Sequence, residues 1–232
     1  MNNIIIKVEN VFKIYGNTEN AFNAIKGVSF DVEKGIFFSI MGKSGSGKST
    51  LLHLMAALDK PTRGKIIING RELEQLSEKE RCKFRNENVG FVFQSYYLEE
   101  NYSVFKNVEM PLIINGKRSR DRKKMVTDAI EKVGLTDKTN KKVSKLSGGE
   151  KQRVAIARAI VNNPDIIFAD EPCGNLDTEN GNMIMKLLRD FTDTGVTVIL
   201  VTHNLEDAKK TDRIITINDG EIKEDKYVDS DN

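Results

Sequence analysis

One stretch of nine residues, Gly42-Lys43-Ser44-Gly45-Ser46-Gly47-Lys48-Ser49-Thr50, constrains this chain more than any other. It fits G-x-x-x-x-G-K-[ST] and lies between the apolar run Ile36–Met41 and Ser49–Leu58, which reads as a helix. Strand, glycine-rich loop and helix in that order predict a parallel α/β core. Glycines let the backbone wrap closely, so that its N–H groups point inward at phosphate oxygens. The start of the following helix adds roughly half an elementary charge of positive sign. Lys48 is then placed to reach β- and γ-phosphates as a point charge. The Ser49 hydroxyl is placed to sit on Mg²⁺, a hard cation that takes oxygen ligands. Lys43 belongs to the same phosphate-binding stretch, but its side chain is expected to face solvent.

A second apolar run, Ile166–Ala169, ends in two acids, Asp170 and Glu171. A buried strand stops before carboxylates, so both are expected at its carboxyl end, where α/β sheets bind ligands. Asp170 suits a metal held through its water shell. Glu171 suits a group that orients a water attacking a γ-phosphate, or takes its proton. His203 follows the apolar strand Thr197–Val201 and can donate to a terminal phosphate. His53, on the helix after the loop, is given a packing role only.

The rest of the chain supports this frame. Ile4–Val8, Val28–Val32 and Ile66–Ile68 are short β-branched strands punctuated by Gly16, Gly35, Gly64 and Gly70, which predicts an antiparallel layer. From about 96 to 160 the pattern turns helical: Met125, Ala129, Ile130 and Val133 fall on one face, and Val154, Ile156, Ala157 and Ile160 on another. A further helix is expected around Met183–Phe191. A turn at Asn218–Gly220 leads to Glu221–Lys223. From Glu224 to Asn232 the chain is polar and charged, and a disordered tail is expected there. A net charge of +2 gives no whole-molecule argument for nucleic acid or acidic lipid. The longest apolar run, Val196–Val201, is far short of the roughly 20 residues a membrane helix needs, and Met1–Glu9 does not read as a signal peptide. These features predict a cytosolic chain whose two cysteines, Cys82 and Cys173, are reduced thiols.

Leu146-Ser147-Gly148-Gly149-Glu150, followed by Lys151-Gln152-Arg153, adds a second serine–glycine helix start, again suited to an anion. With the motifs above, this sequence resembles the ATP-binding-cassette (ABC) transporter ATPases over about residues 4 to 223. The resemblance implies a P-loop NTPase (RecA-like) core with an antiparallel β-subdomain and an inserted α-helical subdomain. It implies one ATPase domain over 1–225, with the helical insertion at about 96–160 and a polar tail at 226–232. It further implies that Tyr15 stacks on adenine and that Gln94, in Phe91-Val92-Phe93-Gln94, touches Mg²⁺ and senses a membrane partner. Ser147, Gly148 and Gly149 would close over the ATP of another subunit, Gly174-Asn175-Leu176-Asp177 would cross the dimer interface, and His203 would be the switch histidine. Catalysis would fall to Glu171, His203 and Lys48. Nucleotide would be held by Tyr15, Gly42 to Thr50, Gln94 and Ser147 to Gly149, and Mg²⁺ by Ser49, Gln94 and Asp170.

Within the family, Gly90–Ser95, Asn107–Leu112 and Glu171–Asp177 are similar to the MacB/LolD-type branch, which exports macrolides or peptides or releases lipoproteins. Lys43, Cys173 and Glu150 depart from commoner residues without removing a phosphate, metal or water ligand. The partners implied are a second ATP-binding subunit and integral membrane permease subunits, with the chain held at the inner membrane face through them. No nucleic-acid partner is expected, and an N-K-x-D base-reading motif is absent. The rival reading is an ABC ATPase that drives a non-transport membrane or cell-wall process. Tyr96, Tyr97 and Leu98 are either partner anchors or core. The basic run Lys117–Lys124 reads as a solvated helix start.

Overall fold

The computed structural model of the chain describes residues 3–16 and 20–228. In chain order its elements are β1 (Ile4–Tyr15), β2 (Phe22–Glu33), β3 (Phe37–Met41), α1 (Lys48–Met55), β4 (Arg63–Ile68), β5 (Arg71–Glu72), α2 (Glu78–Asn88) and β6 (Val89–Phe93). There follow α3 (Val104–Ile114), α4 (Ser119–Lys132), α5 (Gly148–Ile160), β7 (Ile166–Asp170), α6 (Thr178–Asp193), β8 (Thr197–Thr202), α7 (Leu205–Ala208), β9 (Arg213–Asn218) and β10 (Glu221–Tyr227). Two compact units result: one from the chain up to Arg81 together with the stretch from Phe191 onward, the other from Cys82–Asp190.

The first unit holds two sheets. In the antiparallel one, β1 pairs with both β2 and β4, so that Ile6 faces Val32 and Ile68, and Val8 faces Phe30 and Ile66. All these side chains are buried. In the other, β3 lies parallel between β8 and β9, with Phe37 opposite Val198 and Ile40 opposite Ile215. Every residue of β8 is buried, as a strand covered on both faces must be. Leu51, Leu52, Leu54 and Met55 of α1 are fully buried.

The second unit carries β6 and β7 in parallel together with α3, α4 and α5. Its core takes Val104, Val108 and Leu112 from α3, Val126 and Ile130 from α4, and Val154 and Ile156 from α5. Among the described residues no helix is long and apolar enough to cross a membrane. Cys82 is exposed, Cys173 half-buried, and neither is in a disulfide.

The sequence-based expectation of disorder from Glu224 onward is corrected for Glu224–Tyr227, which belong to β10 and pair with β9. Residues 229–232 of that tail lie outside the described residues. Charged side chains suit β10 because it is a sheet edge, exposed along most of its length. Its anchor is Arg213 of β9, whose guanidinium grips both carboxylate oxygens of Asp225 at 2.8 and 2.7 Å. The same guanidinium donates to the Asp31 carbonyl of β2 at 2.8 Å and lies against the rings of Phe38 and Tyr227. One side chain thus ties β2, β9 and β10 together. Arg213→Met is expected to lower unfolding stability by about 1–2 kcal/mol, because a buried guanidinium loses its bonds to the Asp31 carbonyl and to Asp225, the latter weakened by the solvent around that exposed carboxylate. Urea unfolding measures this, and a change below about 0.5 kcal/mol would contradict the anchor role.

Candidate active site

In the first unit, the register of β3 and β8 sets Met41 opposite Thr202. Gly42 and His203 therefore leave neighbouring parallel strands at the same, carboxyl, end. The loop after Gly42 is tightly folded. The Ser46 N–H donates to the Lys43 carbonyl at 3.2 Å, and the Ser46 carbonyl accepts from the Gly220 N–H at 3.0 Å. Gly47 sits at φ +104°, and a Cβ there would come within 2.5 Å of the Ala24 carbonyl oxygen. Only glycine fits that position.

Lys48 is 8% exposed, and its ammonium reaches back across the loop to the Lys43 carbonyl at 2.9 Å. The Lys43 side chain itself is exposed, as expected. The Ser46 hydroxyl is buried and has no hydrogen-bond partner among the described residues. Ser44, Gly45 and Ser49 are open to solvent and Thr50 is half-buried. At the start of α1 the first N–H groups have no acceptor within the helix. Orphan N–H donors, an unpartnered hydroxyl and an ammonium gathered in one loop fit a chain of phosphates. His203 is exposed between two local caps: the Thr202 hydroxyl accepts the Asn204 N–H at 3.0 Å, and Asn204 accepts the Glu206 N–H at 2.8 Å.

In the second unit, β6 and β7 run in register with Phe93 opposite Asp170, which brings Gln94 and Glu171 to the same end. Asp170 is half-buried as the last residue of its strand. Glu171 adopts a left-handed backbone, φ +48°, a conformation that costs a residue with a side chain on the order of 1–3 kcal/mol. Its carbonyl accepts the Gly174 N–H at 3.0 Å, which closes the turn. Gln94 and Asn175 form a reciprocal pair: the Gln94 amide donates to Asn175 Oδ1 at 3.1 Å, and the Asn175 amide donates to the Gln94 carbonyl at 3.0 Å. Gln94 Oε1 is left as an acceptor. A side chain at Gly174 would press on the Gln94 amide nitrogen, at 2.7 Å.

Ser147 caps α5 through a capping box: its hydroxyl accepts the Glu150 N–H at 3.3 Å, and the Glu150 carboxylate accepts the Ser147 N–H at 2.8 Å. Because the serine oxygen accepts within the box, its own proton is free to be donated outward. The Lys138 ammonium pairs with the other Glu150 oxygen and holds that carboxyl below the ordinary carboxylate range. Gly149 is buried, and a methyl there would collide with Asn180, itself bonded twice to Asp177 at 2.9 and 2.8 Å.

Several residues that shape the site went unassigned in the sequence. Gln152 is fully buried and donates to the carbonyls of Pro172, at 2.7 Å, and Phe93, at 3.3 Å, tying α5 to the turns after β7 and β6. Arg158 donates to the Tyr96 carbonyl at 2.8 Å and to that of Tyr97. It fixes the loop after Gln94, where both tyrosines have left-handed φ. Tyr97 is 66% exposed and so is not core. Lys138 completes the set. Their signal lay in contacts between distant segments, which no local pattern carries.

The chain is similar to known proteins over most of its length. The model of the ABC transporter family matches residues 25–174. An uncharacterised ABC transporter ATP-binding protein of Methanocaldococcus jannaschii is 45% identical over 220 residues, covering 95% of this chain and 98% of that protein. The lipoprotein-releasing system ATP-binding protein LolD of Buchnera aphidicola is 42% identical over 223 residues, covering 96% and 98%. Among solved structures, an ATP-binding cassette in a dimeric post-hydrolysis state bound to ADP and Pi superposes with a TM-score of 0.88 at 39% identity, covering 97% of this chain and all of that one. The chain belongs to the ABC transporter family, as one of its ATP-binding, ATP-hydrolysing cassettes.

Proposed function

We propose that two copies of this chain close head to tail on two ATP molecules and thereby drive a separate membrane permease. Each nucleotide lies between the Gly42–Thr50 loop of one copy and Ser147–Gly149 of the other. The observation that carries this reading is a pair of helix starts, at Lys48 and at Ser147, both built for anions and placed in different units of one chain. The likeness to a cassette solved as a dimer with ADP and Pi supports it.

In this reading Lys48 and the loop amides hold the β- and γ-phosphates, and Tyr15 stacks on the base. The Ser147 hydroxyl donates to the γ-phosphate from across the interface. Glu171 orients the attacking water, and His203 donates to the γ-phosphate oxygens as charge builds on them. Ser49, Gln94 Oε1 and Asp170 supply the hydroxyl, amide and carboxylate oxygens that suit Mg²⁺. Bound Mg²⁺ supplies charge neutralisation between phosphoryl oxygens. Closure excludes water and strengthens each of these contacts. The exposed surface around Tyr97 carries the motion to the permease at the cytoplasmic face of the membrane. The work done is export or extrusion of a peptide, drug or lipoprotein, a range in keeping with the similarity to both LolD and MacB proteins.

A mixing experiment tests the shared pocket. Ser147→Asp keeps a good helix cap but sets a carboxylate where the γ-phosphate would rest. Lys48→Met disables the loop. In a Glu171→Gln background neither chain alone should occlude ATP, whereas an equal mixture should occlude it at one site per heterodimer. A mixture as empty as its parents would overturn the composite pocket.

A further inference from the structure

Tyr15 ends β1 within the first unit, 41% exposed. Its hydroxyl donates to Asp59 Oδ2 at 2.9 Å, and partial burial together with that carboxylate pushes the phenol up, so that it stays protonated and able to donate. One face of its ring is covered by the Lys13 ammonium, 4.8 Å from the centroid. That ammonium is itself fixed, donating to Asp59 Oδ1 at 2.7 Å and to the Lys60 carbonyl at 2.8 Å. Asp59 is fixed in turn. Its carbonyl accepts from the fully buried Arg81 at 2.6 Å, and its N–H donates to the His53 carbonyl of α1 at 3.2 Å. Burial alone would push the Asp59 carboxyl up, but Lys13, the Lys60 N–H and Tyr15 outweigh it and hold it below the ordinary range. It stays an anion, and an acceptor, through neutral pH.

The ring is therefore held at its tip and on one face by groups anchored to the far end of the helix whose start carries the phosphate loop. We propose that Lys13 and Asp59 are positioning residues for Tyr15, clamping its ring so that a single face is open to the base of a bound nucleotide. The inference rests on Tyr15 being the base platform. Cation and carboxylate act together: one polarises the covered face, the other prevents rotation of the ring out of line. The distance from base to phosphates is then set by α1, a rigid rod.

The test compares binding of Mg²⁺-ADP with that of Mg²⁺-ribose 5-diphosphate, which lacks the base, to the full chain. Asp59→Ala should weaken ADP by about fivefold, the worth of one net hydrogen bond, and leave the base-free ligand unchanged. Tyr15→Phe, which keeps the ring and removes only the hydroxyl, should lose a similar factor. The double variant should lose no more than the worse single one, because both remove the same contact. Lys13→Met should also weaken ADP alone. Equal losses for both ligands would mean a merely structural role and would overturn the proposal. So would full ADP affinity in Asp59→Ala while Tyr15→Ala binds ADP poorly. If Tyr15→Ala itself keeps full ADP affinity, the platform reading fails first and this inference fails with it.

Discussion

Glu171→Gln is expected to lower phosphate release by about two to three orders of magnitude while ATP binding persists, so that an ATP-bound dimer accumulates. The backbone geometry at this position tolerates the substitution. Glu171 stands in a left-handed turn closed by the Gly174 N–H, and that turn depends on main-chain geometry, which glutamine shares. The change keeps size and shape and removes the negative charge, and with it the capacity to take a proton from water. Binding rests on other groups, the Gly42–Thr50 loop above all, so affinity should be nearly unchanged. Without hydrolysis the nucleotides continue to bridge the two copies. Size-exclusion chromatography with Mg²⁺-ATP should show the dimer, and EDTA should return it to monomer. ATP-loaded material that elutes as monomer, or phosphate release at the unsubstituted rate, would count against the role given to Glu171.

How much of this was legible in the residue string depended on the range of the interaction. The phosphate loop could be read in place because glycine spacing, lysine and the strand–helix context are all local; a strand does precede it and a helix follows, although that helix ends at Met55 rather than Leu58. The capping box at Ser147 and Glu150 is equally local. Ser77 and Glu80 show the same reciprocal bonding, at 2.8 and 3.4 Å, at the start of α2, and would have revealed that helix had its polar composition not masked it. Strand β1 runs to Tyr15 rather than stopping near Val8. Its alternation breaks at Asn10, where φ is +47° and the pairing shifts register, but the strand continues through the irregularity. The bond between Gln94 and Asn175 spans 81 residues of sequence, so only folding brings it into view. The same holds for Tyr15, Lys13 and Asp59. A polar, charged C-terminal stretch reads as a tail until Arg213 gives Asp225 a reason to stay.

Lys48→Met is expected to push two measurements in opposite directions. The Lys48 side chain is almost wholly buried, and its ammonium is met by a neutral carbonyl, that of Lys43, at 2.9 Å. An ammonium taken out of water toward a neutral acceptor is a net cost, offset when phosphate oxygens arrive. Methionine has a similar length, no charge and freedom to fill the same channel. The ligand-free variant should therefore unfold at equal or higher urea concentration, with a gain of up to about 1 kcal/mol. ATP should behave in the contrary way. At a hundredfold excess over its dissociation constant a ligand stabilises the folded state by about 2.7 kcal/mol, and a loss of affinity of about a hundredfold reduces that to about 0.4 kcal/mol. The thermal shift produced by Mg²⁺-ATP should thus nearly vanish in a protein that is otherwise no weaker. A variant that is clearly destabilised without ligand would show that the buried ammonium supports the fold. A variant that keeps the full ATP-induced shift would show that it does not hold the phosphates. Only the combination of intact stability and lost ligand response fits a lysine placed there for phosphate.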